Sequence, residues 1–186
     1  MSQSDIFKFV QSADTGGNPF VKLQDGDTIQ LRILSQPLTG WEQFADGRPY
    51  RWAPDSSKPE GIPKSTEKPR PFLAFVVYVY TDDAGVKIWQ FTQKRIFKQM
   101  EVLFQGGALH WSSFVLNLRR TGSGLDTDWT VIGTQMPLED SLIEFATKAQ
   151  DYIDLSALYV GDSPIIQPLP EISVEMQQPS QSDSPF

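Results

Sequence analysis

The sequence predicts a mainly β domain: a five-stranded antiparallel barrel with a short helix inside the barrel sequence, a C-terminal helix and a disordered acidic tail. Three observations carry this. Residues 72–80 and 86–91 are rich in β-branched and aromatic side chains and flank Thr81-Asp82-Asp83-Ala84-Gly85, the pattern of a hairpin. Further strand-like runs precede and follow it, with the helical periodicities set apart from them rather than alternating, which argues against a parallel sheet. Beyond Lys148 the chain contains no Lys or Arg.

In chain order, residues 1–18 are polar and rich in Gly, Ser and Asp, and are expected to be flexible. The domain proper is expected over 19–160. After the Asp25-Gly26-Asp27 turn, Ile29, Leu31 and Ile33 alternate with Gln30 and Arg32 within a strand over 28–34. Pro37 and Gly40 bend the chain, and Trp41 and Phe44 mark a further short strand ahead of Asp46-Gly47. Residues 45–70 contain five prolines and two glycines, and an irregular functional loop is expected there. In the hairpin, successive side chains alternate between faces. Leu73, Phe75, Val77 and Val79 are assigned to the core, and Phe72, Ala74, Val76, Tyr78 and Tyr80 to a half-wet or ligand-stacking surface.

Ile96, Phe97, Met100, Leu103 and Phe104 then form one apolar helical stripe, with Gly106-Gly107 as its stop. Two more strands are expected over 114–120 and 127–133, joined by Thr121-Gly122-Ser123-Gly124. The stripe Leu138, Leu142, Phe145, Ala146 and Ala149 predicts a helix over 137–152. Residues 161–186 are rich in Pro, Gln and Ser and lack any base, so a disordered acidic tail is expected.

Composition narrows the function. The chain has 186 residues, no cysteine and one histidine, His110. Disulfide and thiolate chemistry are thereby excluded, and a zinc or histidine-dependent centre is disfavoured. No apolar run approaches the ~18 residues of a transmembrane helix, and the N-terminus lacks a secretory pattern. A cytoplasmic protein is expected, with no cofactor, no metal and no membrane partner. The net charge of -7 is concentrated at one end: six acids follow Lys148, and 17 acids face 16 bases before it. Between Arg48 and Lys98, ten bases face five acids. Such asymmetry points to a nucleic-acid surface with an acidic tail.

The candidate site is an aromatic and cationic set. Unpaired bases stack on aromatic rings while Lys and Arg follow the phosphates. Trp41, Tyr50, Trp52, Tyr78 and Tyr80 are the expected stacking residues, and Arg51, Lys68, Arg70, Lys87, Arg119 and Arg120 the expected phosphate partners. Two other classes compete. One is a protein-interaction module acting through the loop and tail, and the other a carboxylate-dependent nuclease built on Asp82, Asp83, Asp126 and Asp128. All four acids fall in turns, where Asp serves local hydrogen bonding, so no enzymatic activity is expected.

With these residues laid out, the chain resembles phage-type single-stranded DNA-binding proteins. The similar stretches are LQDGDTIQLRIL (23–34), KPRPFLAFVVYVY (68–80), KIWQFTQKRIFKQM (87–100) and LRRTGSGLDTDWTV (118–131). The last matches an R-x-G-x-G-L-D-T pattern over Arg120 to Thr127 and is the most specific. The closing SDSPF is similar to the acidic Pro-Phe tip of bacterial single-stranded DNA-binding proteins, although here Asp183 is the only acid in it. The resemblance implies an OB-fold that coats and protects single-stranded DNA, without strong sequence preference, during replication, recombination or repair. It also implies a tip, Asp183, Pro185 and Phe186, that recruits replication or recombination proteins. Some phage-type proteins carry loop cysteines; their absence here fits the expectation of no metal.

Overall fold

The computed structural model describes residues 18–81, 84–104, 110–172 and 174. Asp82 and Asp83, the Gly106-Gly107 stop, most of the expected flexible N-terminus, and Asp183, Pro185 and Phe186 lie outside the described residues. Seven strands form: β1 (Thr28–Ile33), β2 (Leu38–Ala45), β3 (Arg48–Trp52), β4 (Arg70–Val79), β5 (Gly85–Phe91), β6 (Phe114–Thr121) and β7 (Asp128–Gln135). Helix α1 (Lys94–Phe104) follows β5, and α2 (Asp140–Tyr152) follows β7. The protein is mainly β and every strand pairing is antiparallel, as the sequence predicts.

The ten-residue β4 organises the sheet. Along one edge it pairs with β5, from Leu73↔Phe91 to Val79↔Gly85. Its other edge is shared, with β2 on the first half (Leu38↔Ala74) and β1 on the second (Leu31↔Val79). Pro37 has no N–H to continue the ladder between them. The break is bridged by Leu34 N donating to Val76 O at 2.8 Å and Val76 N donating to Ser35 Oγ at 2.9 Å. Beyond β1 lie β6 and then β7.

The expectation of five strands closed into a barrel is corrected: the sheet has seven strands and is open. The reason lies in what occupies the outer edges of β5 and β7. Ile88 of β5 donates to Pro19 O at 2.7 Å and accepts from Val21 N at 2.9 Å. On β7, the Gln99 side chain of α1 donates to Trp129 O at 2.8 Å and accepts from Val131 N at 2.7 Å. An amide side chain thus plays the part of one peptide unit of a neighbouring strand.

The second correction concerns β4, which has no wet face. Phe75, Val77 and Val79 point into one core with Leu31, Ile33, Trp89 and Leu116, and α1 adds Ile96 and Met100. On the opposite face, Val76 and Tyr78 are buried with Leu142, Phe145, Ala149 and Ile153 beneath α2, and Phe72 and Ala74 against Leu158. Alternation identifies which residues share a face but not whether a later element covers the second one. The third correction concerns the expected tail. Ile165, Leu169, Ile172 and Val174 pack against the α2-side core, and Ile165 bridges to Ile153, so the ordered region extends past residue 161. No helix among the described residues is long and apolar enough to cross a membrane.

Candidate nucleic-acid interface

The candidate surface is built on the β2–β3 hairpin. Its turn is Asp46-Gly47, with φ of 48° and 76°. Two successive positive φ values match the twist of the flanking strands, and an Asp-Gly pair adopts them at low cost. The register Ala45↔Arg48, Gln43↔Tyr50, Trp41↔Trp52 follows from that two-residue turn. Residues 48–52 are therefore a strand, not the irregular loop expected from the proline count. Pro49 is tolerated because β3 is at the end of the sheet path, where a missing N–H need not break a ladder.

Gly40 sets how closely the hairpin packs. A Cβ there would lie 2.4 Å from Trp52 O and 2.7 Å from Phe72 Cε1. Past β3, the chain is tied back onto β2: Ser65 Oγ donates to Phe44 O at 2.6 Å, and Gln43 Nε2 to Glu67 O at 2.7 Å. Lys68 and Arg70 are carried alongside the hairpin in this way.

Six of the sequence-predicted residues meet here: Trp41, Tyr50, Arg51, Trp52, Lys68 and Arg70. They are not equally available. Trp41 is 38% exposed, whereas its register partner Trp52 is 6% exposed and part of the interior. Tyr50 is half-buried; the Arg48 guanidinium lies 4.6 Å from its ring centre, and Arg48 Nε donates to its hydroxyl at 2.8 Å. Arg51 is held by Glu42 at 2.7 Å, its side chain only 9% exposed, and lies over the Phe72 ring. It serves as a wall rather than as an open phosphate ligand. Arg70 is exposed but paired with Glu67, and Lys68 is exposed. With those two pairs set aside, residues 40–70 present the cations Arg48, Lys58, Lys64 and Lys68 against Asp46, Asp55 and Glu60.

The other five predicted residues lie elsewhere. Tyr78 is 4% exposed and donates its hydroxyl to Ile172 O at 2.9 Å. Tyr80 is half-buried and donates to Glu139 at 2.9 Å. Burial, and secondarily the Glu139 carboxylate, raise the Tyr78 pKa. Tyr80 is raised further, first by burial and then by its bond to Glu139, against an opposing effect of Arg32. Both are structural and neither offers a ring to a base, because α2 and the segment after it cover their face. Lys87 is half-buried beside a 210 Å³ pocket that Lys22 also lines. Arg119 is exposed on β6. Arg120 is turned inward, with Nη1 donating to Leu23 O at 2.6 Å and the guanidinium over Trp129. Of the acids proposed for a nuclease, Asp128 is paired with Arg95, whose hydrogen bond holds its carboxyl below the usual range.

Phe44, 44% exposed, and Arg48 belong to the surface although the sequence did not nominate them. Their signal was the Asp46-Gly47 turn, which places them on opposed strands of one hairpin. Next to it, two clefts of 620 Å³ and 270 Å³ abut across Pro49, Arg51 and Gln90. Phe44 and Phe72 line the smaller; Tyr50, Tyr159 and Asp162 line the larger. Comparison with protein-family models, with curated proteins and with solved structures finds no match for this chain.

Proposed function

We propose that this protein binds single-stranded DNA without strong sequence preference and coats it during replication or recombination, using the β2–β3 hairpin as its stacking platform. One observation carries the reading. Of the large hydrophobic side chains left exposed among the described residues, the only two aromatic ones, Trp41 and Phe44, are both on β2. By strand alternation they face opposite sides of the hairpin, Trp41 on the side of Tyr50 and Arg48 and Phe44 on the side of Arg51, and Lys68 follows in the segment tied back onto β2. Aromatic rings alongside cations are what unpaired bases and their phosphates require.

The fold is proposed to be an OB barrel left open on one side. Its five strands are β5-β4-β1-β6-β7 in pairing order, with α1 between β5 and β6 in sequence. OB barrels are Greek-key barrels of five strands, often only partly closed, and many bind oligonucleotides. On this reading β2 and β3 are an extension of β1 that carries the platform away from the face covered by α2. The protein is read as a binder and not an enzyme. The C-terminal tip is assigned, from its resemblance alone, to recruiting replication or recombination proteins.

The test is a fluorescence titration of the full chain with labelled oligo-dT and with a matched duplex at two salt concentrations. Tight oligo-dT binding, weak duplex binding and a linear fall of log K with log salt are expected. No oligo-dT binding at low salt would refute the proposal.

A further inference from the structure

The paired clefts beside the hairpin have an uneven chemistry. Of the two cations in their walls, Arg51 is paired with Glu42, and Arg48 keeps its charge but is turned onto the Tyr50 ring and hydroxyl. The acceptors are not matched in the same way. Glu60 and Asp162, both exposed, line the larger cleft and give it negative charge that no cation of another described residue pairs with. Gln90, shared by both clefts, has its Oε1 buried with no donor among the described residues. A buried carbonyl without a partner is destabilising, and the terminal torsion of Gln is soft enough to turn that oxygen toward the cleft when a donor arrives. Excess acceptors repel phosphate and select a ligand that presents N–H groups. The flat groups that reach the walls, the half-buried Tyr50 ring and Pro49, favour a planar one.

We infer that these clefts take one unstacked, amino-bearing nucleobase, with Gln90 Oε1 accepting from its exocyclic amine, while the phosphates stay outside along the hairpin cations. This rests on the single-stranded DNA reading and deepens it. Cytosine (N4) and adenine (N6) carry such an amine; thymine does not. The result is a modest base preference at one position of an otherwise sequence-indifferent site, of about tenfold, as expected for one buried acceptor gaining or losing its donor.

Fluorescence anisotropy with three labelled oligomers at one salt concentration tests this on the wild-type chain: oligo-dC, oligo-dT, and oligo-dC whose N4 carries two methyl groups. Oligo-dC should bind about tenfold more tightly than the other two. The Gln90→Leu variant should bring the three together, and Gln90→Glu, which keeps an acceptor, should retain the order. If none of the three binds, the DNA-binding reading itself fails. If all bind alike to the wild type, or if dimethylation leaves oligo-dC unaffected, only the base-pocket inference is overturned. The methylation comparison needs no variant, so a misfolded Gln90→Leu cannot shelter it.

Discussion

Trp41→Ala is the sharpest test of the hairpin platform, because the same ladder contains its control. Trp41 and Trp52 are register partners, 38% and 6% exposed respectively. If Trp41 stacks a base, its removal forfeits about 1–3 kcal/mol of binding. At about 1.4 kcal/mol per factor of ten, oligo-dT affinity should fall roughly 5- to 150-fold. Folding stability should change by no more than about 1 kcal/mol, since the ring is partly in water already. Trp52→Ala should do the reverse, removing about 3–5 kcal/mol of stability by emptying a buried site. Urea denaturation and oligo-dT anisotropy on both variants separate the two effects. A second readout is available in the emission. Of the five tryptophans, Trp52 and Trp89 are buried, and Trp111 and Trp129 pack on the core. The quenching that accompanies DNA binding should therefore vanish in Trp41→Ala. Affinity within about twofold of wild type at equal stability would refute base stacking on this hairpin.

Other consequences follow from particular contacts. Gly40→Ala forces a Cβ to within 2.4 Å of Trp52 O; a loss of about 1–3 kcal/mol, read from the urea midpoint, is expected together with weaker oligo-dT binding. The raised pKa values of Tyr78, Tyr80 and Tyr159 have a definite sign. Their stabilising effect is complete below about pH 10, where phenols in the unfolded chain also keep their protons. It is lost as pH climbs toward the raised folded values, so the melting temperature should fall above pH 10. Tyr80→Phe should flatten that fall while losing about 1 kcal/mol at neutral pH with its bond to Glu139; an unchanged alkaline slope would contradict the assignment. Deleting 175–186, which removes Glu175 and Asp183, should tighten oligo-dT binding at low salt if the tail competes for the cations. Deletion from residue 162 is a poorer test, because Ile165, Leu169 and Ile172 are packed against the core and their loss should lower the melting temperature.

The arrangement around Arg32 shows why the expected stacking face was lost. Arg32 is fully buried on the outer side of β1, donating to Pro137 O and lying 3.5 Å from Glu139, to which Tyr80 also donates. These polar groups and the apolar set Val76, Ile88, Leu142 and Phe145 fasten the start of α2 to the sheet. The face that alternation left open for Tyr78 and Tyr80 is the one on which the C-terminal helix buries its own stripe. Two amphipathic surfaces in one chain are satisfied by each other before they are satisfied by a ligand.

The sequence by itself determined the local structure. Period-two alternation set the main strands, the 3.6-residue stripes set α1 and α2, and Asp46-Gly47 set a turn whose two-residue geometry fixes the β2–β3 register. Charge along the chain located the basic middle and the acidic end. Only the tertiary structure decided whether the sheet closed, which aromatic rings stayed in water and where Ile165, Leu169 and Ile172 pack. Those outcomes depend on contacts between residues far apart in sequence, such as Gln99 with the edge of β7 and Ile172 with Tyr78. Trp41 and Trp52 illustrate the division. They have the same chemistry and sit opposite each other in one ladder, yet one is exposed and the other buried, because burial is settled by what the rest of the chain lays over each ring.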